Sequence, residues 1–150
     1  MNKKDLKILK IMKDNVRMPY SKIAKRMGMT ENAVKYRIKK MEKAGVIKGY
    51  FMNLSSKMLG KEKRVIFQMN VKPAQFSNSI KILEGYKEIA EIYRCSGQYS
   101  IICTGFFKDE EDLVNFLDRR LLKELPVTTW VEHIILMPYK ETFFNVDMLD

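Results

Sequence analysis

Between Pro19 and Gly45 the chain is punctuated so closely that one local arrangement is favoured: two short helices joined by a three-residue turn. Pro19 suits the first turn of a helix, where its missing N–H costs nothing. Tyr20, Ile23, Ala24 and Met27 follow at helical spacing, and Gly28 stops the run. After Gly28-Met29-Thr30, Thr30 is a good N-cap and Glu31 complements the positive end of the helix dipole. The next helix is predicted to reach Ala44, with Gly45 placed as a left-handed cap. A leading helix over Asp5–Asp14 is predicted by Leu6 and Leu9 at i,i+3 and by Ile8 and Met12 at i,i+4. A leading helix, then two helices around a short glycine-containing turn, is the helix-turn-helix pattern.

The faces of the third helix follow from its angular period. With Val34 at zero, Ile38 falls near 40° and Met41 near 340° at about 100° per residue, so these three form the buried stripe. Asn32, Lys35, Tyr36 and Lys39 fall on the opposite side, and Lys43 continues that face. It carries no acidic residue, whereas an ordinary solvated helix face mixes both signs. The reading is a recognition helix for the DNA major groove. Asn32 suits an adenine edge and Lys35 a guanine edge; Tyr36 suits a phosphate or a thymine methyl. Lys39, Lys40 and Lys43 are placed for phosphates, and Ser21 and Lys22, early in the second helix, for crossing the backbone. Thr30 joins the set at the helix start. Arg37 borders the buried stripe and suits either a phosphate or a brace inside the motif.

Charge distribution supports that partner. Residues 1–50 hold 15 Lys/Arg against 4 Asp/Glu, while residues 51–150 hold 13 against 14. The whole excess of +10 therefore belongs to the first third, and it predicts double-stranded DNA as the partner of that part alone. A membrane surface is not expected, because the apolar faces of these helices are used up in a small core. No segment approaches the ~20 apolar residues that span a bilayer. No apolar signal core follows the N-terminus, so a cytoplasmic location is expected. Cys95 and Cys103 lack zinc or redox spacing and read as small reduced core thiols. His133 is the single histidine, too few for a metal site; no metal or cofactor is expected.

Val46–Leu54 is apolar and β-prone, and is expected to form a strand or small wing. Composition changes after it. The predicted division is a helix-turn-helix domain at 1–54, a linker at 55–62 and a second domain at 63–150. In that second part Val65, Phe67, Met69 and Val71 alternate as a strand; Phe76, Ile80 and Leu83 follow at helix spacing. Ile89–Cys95 and Ser100–Phe107 read as strands around Ser96-Gly97-Gln98-Tyr99. Leu113, Phe116, Leu117 and Leu121 mark a helix that begins in the acidic run Asp109–Asp112. Val127–Pro138 reads as a final strand. The order βαββαβ is the split, ferredoxin-like arrangement, so the fold class is α+β. Such a sheet has two helices on one face and none on the other. Val131 and Ile135, together with Trp130, Ile134 and Leu136, put apolar residues on both faces, and the uncovered face is expected to pair with a second copy.

The residues assembled so far resemble the Lrp/AsnC, or feast/famine, regulators. The resemblance covers Asp5 to about Lys140. It is strongest in Asp5-Leu6-Lys7-Ile8-Leu9-Lys10-Ile11, in Ile23-Ala24 and Met27-Gly28-Met29-Thr30, and in the run from Val34 to Ile47. It implies dimers formed through the β-faces of the second domain, further assembly into octamers or rings, and paired recognition helices on pseudo-palindromic DNA. It also implies a small-molecule effector such as an amino acid, bound near a loop with the pattern Gly-x-Tyr-Asp. The matching stretch is Gly97-Gln98-Tyr99-Ser100. Ser100 stands where an aspartate is common and Gln98 where a second acid often sits, so an amide and a hydroxyl replace carboxylates that would pair with a ligand's ammonium group. The plain alternative for Gly97 is a hairpin-turn glycine.

Two other functions share parts of this pattern. Sirohaem decarboxylases resemble the family in both domains and need a basic, tyrosine-rich tetrapyrrole site; here Arg94, Tyr99, Arg119, Arg120 and His133 are scattered. Paired acid and base groups, an activated nucleophile and a phosphate-cradling loop are not evident in the sequence. An architectural protein that coats DNA would share every feature of the first domain.

Overall fold

The computed structural model describes residues 2–141 and 145–149. They fall into two compact units, one drawn from Met1–Asn53 and Lys140–Asp150, the other Leu54–Tyr139.

The first unit is built from α1 (Lys3–Met12), α2 (Tyr20–Met27) and α3 (Glu31–Lys43). Pro19 stands just outside α2 as its N-cap rather than in its first turn, without a side-chain cap bond; three other boundaries have a clear chemical cause. Asn2 caps α1 in a reciprocal box, its side chain accepting from the Asp5 N–H while Asp5 accepts from the Asn2 N–H. Thr30 caps α3 by accepting from the Ala33 N–H at 3.2 Å. Gly28, at φ +61°, ends α2 in the left-handed conformation that glycine adopts without strain. The core is Ile8, Met12, Ile23, Ala24, Val34, Ile38 and Met41, the stripes given by the helical period. Ile8, Ile23, Val34 and Ile38 are wholly buried, each contributing roughly 1.5–3 kcal/mol of transfer free energy.

Two features of this unit depart from expectation. Val46–Leu54 forms no strand. The N–H groups of Val46 and Ile47 both donate to the Met41 carbonyl, at 2.9 and 3.2 Å, in closing the end of α3, so they are spent before a ladder can use them. The tail, expected in the second domain, groups with the first unit. Its helical turn Val146–Met148 buries Val146, and Asp147 pairs with Lys13 at the end of α1. Residues 142–144 and 150 of that predicted domain lie outside the described residues.

The second unit is a four-stranded antiparallel sheet of β1 (Lys63–Val71), β2 (Ile89–Arg94), β3 (Ile101–Phe107) and β4 (Val127–Ile134), in the spatial order β2-β3-β1-β4. α4 (Phe76–Glu84) connects β1 to β2. α5 (Glu110–Phe116), extended by a π turn at Leu117–Leu121 and a last turn at Leu122–Glu124, connects β3 to β4. This is the expected ferredoxin-like order. Asp109 caps α5 by accepting from the Asp112 N–H, and three acids occupy its first turn. The last strand ends at Ile134 rather than Pro138, with one further bond from the Ile135 N–H to the Arg64 carbonyl.

Alternation divides the sheet into two faces. Val65, Phe67, Met69 and Val71 are buried under the helices with Leu83, Leu113, Phe116 and Leu121. Phe67, Phe107 and Phe116 meet with ring centroids 5.1–6.2 Å apart, a spacing that adds to their burial. The register places Ile66 against Thr104 and His133, and Gln68 against Ile102 and Val131, on the opposite face. There Ile66, Ile102, Phe106 and Val131 are only half-buried. Both cysteines are free; Cys103 is buried, its thiol pushed up to about 12 by desolvation, while Cys95 is half-buried.

Candidate nucleic-acid interface

The caps at Thr30 and Gly45 and the stripe Val34, Ile38, Met41 fix how α3 is rotated on its core. The opposite side is consequently turned outward: Asn32, Lys35, Tyr36, Lys39, Lys40 and Lys43 are all exposed, Tyr36 by 69%. An aromatic so exposed amid lysines presents apolar surface to water unless a partner covers it. Among the described residues none of Lys35, Lys39, Lys40 and Lys43 is ion-paired with an acid, so their charges remain open to a partner. Glu42 is engaged by the segment after α3, accepting from the Tyr50 hydroxyl at 2.8 Å. Burial and that bonded carboxylate both raise the Tyr50 pKa, keeping the phenol a donor.

Ser21 and Lys22 are exposed in the first turn of α2. Arg37 behaves differently from the rest of the set. Its guanidinium is turned into the motif, donating to Asp5 Oδ1 at 2.8 Å and to Asn2 Oδ1 at 3.3 Å. Burial acts to raise the Asp5 carboxyl, but the Arg37 hydrogen bond, the Asn2 N–H and the Arg37 charge outweigh it and hold the pKa below the usual carboxylate value. Of the two roles open to Arg37, the geometry is that of the brace.

In the second unit Gly97 lies at φ +118°, a conformation open to glycine, and it starts the turn between β2 and β3. Gln98 is exposed, while Tyr99 and Ser100 are half-buried. One residue that sequence reasoning passed over holds this loop: Asn70, at the end of β1. Its amide donates to the Gln98 carbonyl and its oxygen accepts from the Ser100 N–H, both at 2.8 Å. The one signal in the sequence was an amide at an alternating position of a strand. The residues weighed for a tetrapyrrole do not converge. Arg120, on the helical side, is bound to Glu88 at 2.8 Å and stacked on Tyr86, whereas His133 belongs to the open face of the sheet.

Sequence comparison matches the winged helix-turn-helix DNA-binding family over residues 1–48. It matches the Lrp/AsnC ligand binding domain over residues 64–143. The chain belongs to the Lrp/AsnC family. Among Lrp/AsnC relatives and similar sequences, the HTH-type transcriptional regulator Ptr1 of Methanocaldococcus jannaschii is 30% identical, covering 91% of this chain and 93% of that protein. The HTH-type transcriptional regulator LrpA of Pyrococcus horikoshii is also 30% identical, covering 93% and 99%. Among solved structures, AsnC of E. coli matches with a TM-score of 0.89 at 24% identity over 96% of this chain and 97% of that one. A transcriptional regulator of Neisseria meningitidis in complex with L-Met matches with a TM-score of 0.92 at 19% identity, covering 99% of both. These two likenesses bear on the fold. This Lrp/AsnC protein is a DNA-binding transcriptional regulator. Among the described residues, no helix is long and apolar enough to cross a membrane.

Proposed function

We propose that the protein acts in the cytoplasm as a dimer that places two copies of α3 in successive major grooves of pseudo-palindromic promoter DNA. The observation that carries this reading is the acid-free outer face of α3, where Lys35, Tyr36 and Lys39 are exposed together. Asn32 and Lys35 read base edges, Tyr36 covers a thymine methyl or a phosphate, and Lys39, Lys40 and Lys43 neutralise phosphates. Ser21 and Lys22 contact the backbone from α2. Thr30 and Arg37 serve the site indirectly, one capping α3 and the other tying it to α1.

Dimerisation is assigned to the open sheet face, where Ile66, Ile102, Phe106 and Val131 lack a helical cover. Two-fold symmetry of such a pair matches the pseudo-palindrome, with half-sites one helical turn, roughly 34–36 Å, or a multiple of it apart. Assembly beyond the dimer, up to an octamer, extends this reading. An amino acid is the candidate effector near Gly97, Gln98, Tyr99 and Ser100, acting on that assembly only as far as it orders this loop. The Neisseria regulator solved with L-Met supports an amino acid as the ligand class.

The test is a footprint on the protein's own promoter with Asn32→Ala and Lys39→Glu beside the native chain. Asn32→Ala is expected to blur the footprint boundaries while keeping general affinity; Lys39→Glu is expected to weaken every site. A continuous footprint without boundaries for the native chain would favour DNA coating instead.

A further inference from the structure

The turn between β2 and β3 is held from an unexpected direction. Asn70 stands where the register of β1 with β4 slips: Asn70 faces Thr129, but Val71 faces Val127. The extra residue, Thr128, donates its hydroxyl to the Asn70 carbonyl at 3.2 Å. Alternation with Ile66 and Gln68 puts the Asn70 side chain on the open face, at the mouth of the turn. Both of its N–H donors are used, on the Gln98 carbonyl at 2.8 Å and on Thr129 Oγ1 at 3.0 Å. Its oxygen accepts from the Ser100 N–H at 2.8 Å. The main-chain groups on either side of Tyr99 are thus bound by one planar amide, the fork that a small polar ligand would otherwise offer them. The Cys95 N–H closes the turn on the Ser100 carbonyl at 2.9 Å.

A ligand changes a loop's equilibrium only by as much as it favours one state over another. A loop whose inward polar groups are already satisfied leaves little ordering for a ligand to contribute. We propose that Asn70 is a built-in ligand for the Gly97–Ser100 loop, holding it in the ordered state that an effector would otherwise select, so that the native chain responds weakly to amino acids. The proposal rests on reading this loop as the effector site. It further assigns Asn70 as the residue whose loss makes the loop effector-dependent.

The experiment follows the Ser100 and Cys95 amides of the full chain by hydrogen exchange, with and without each proteinogenic amino acid at millimolar concentration. Amino-acid binding is measured in parallel by calorimetry. Asn70→Asp keeps the acceptor for Ser100 but sets an oxygen against the Gln98 carbonyl. Thr129→Val removes only the partner on β4 and controls for damage to the strand. The native chain and Thr129→Val should protect the Ser100 amide without ligand, and amino acids should change its exchange less than about twofold. In Asn70→Asp exchange should quicken by about tenfold or more, and a bound amino acid should slow it again. The proposal is overturned if the native Ser100 amide is unprotected, if an amino acid slows it tenfold, or if Thr129→Val loosens the turn as much as Asn70→Asp. Unchanged exchange in Asn70→Asp, with amino acids still binding, sinks the clamp and leaves the effector reading standing. Binding to neither chain sinks the proposal through the effector reading itself.

Discussion

Arg37 of α3 and Asp5 of α1 form a half-buried ion pair at 2.8 Å, joining the start of the first helix to the middle of the third. The side chains retain 25% and 16% of their exposure, so the pair is worth more than a fully solvated one. It sits at the border of the buried stripe, with the guanidinium turned to α1 rather than outward with the lysines. Arg37→Ala should therefore lower stability by about 1–2 kcal/mol in urea unfolding. With the protein still folded, it should weaken DNA binding by less than about threefold. Arg37→Lys should recover part of the stability, since it keeps the charge but loses the planar guanidinium whose Nη1 reaches both Asp5 and Asn2.

The same pair predicts a pH response. The Asp5 pKa is held below its unfolded value, so its stabilisation is complete above that value and is lost as pH falls through the folded one. Asp5→Asn should be less stable than the native chain at neutral pH. The gap should close as pH drops below about 4, where the unfolded carboxyl is protonated. Urea midpoints measured across that range check it; a constant gap would contradict it.

Gly28 gives a cleaner backbone test. Its φ is +61°, and an added Cβ would meet nothing within 4 Å. The cost of Gly28→Ala is then conformational alone, about 1–2 kcal/mol, read as a lowered melting temperature without loss of helix content.

The open sheet face yields an assembly prediction. Val131 lies opposite Gln68, which lies opposite Ile102, across the middle of that face. Val131→Asp would leave an unpaired carboxylate at the centre of a dimer interface. Sedimentation at micromolar concentration should show the native chain as a dimer or larger and the variant as a monomer. A native chain that sediments as a monomer would remove the assigned interface.

How far the sequence disclosed this molecule depends on the reach of each interaction. α3 was legible because its signals are local: Thr30 caps three residues ahead, and Val34, Ile38 and Met41 share one stripe. The strands were legible from alternation, as in Val65 to Val71. The expected strand after α3 failed because β-propensity carries no information about the Met41 carbonyl, which captures the next two N–H groups. The tail failed because Asp147 finds Lys13 across 134 residues. Asn70 was missed for the same reason, its partners lying 28, 30 and 59 residues away. At the site, period alone placed Lys35, Tyr36 and Lys39 outward. It could not assign Arg37, because a residue at the edge of a stripe goes to whichever partner the next helix supplies.

The central claim is that the outward face of α3 lies in a DNA groove, and salt-dependent affinity tests it most directly. Each phosphate neutralised lowers log K by about 0.9 per decade of salt. The measurement is fluorescence anisotropy of Lys39→Gln on promoter DNA, from low to physiological salt. The expected result is weaker binding on all sequences, with a slope shallower by about 0.9 for each phosphate that residue 39 no longer neutralises. A folded Lys39→Gln protein that binds with native affinity and native slope would contradict it.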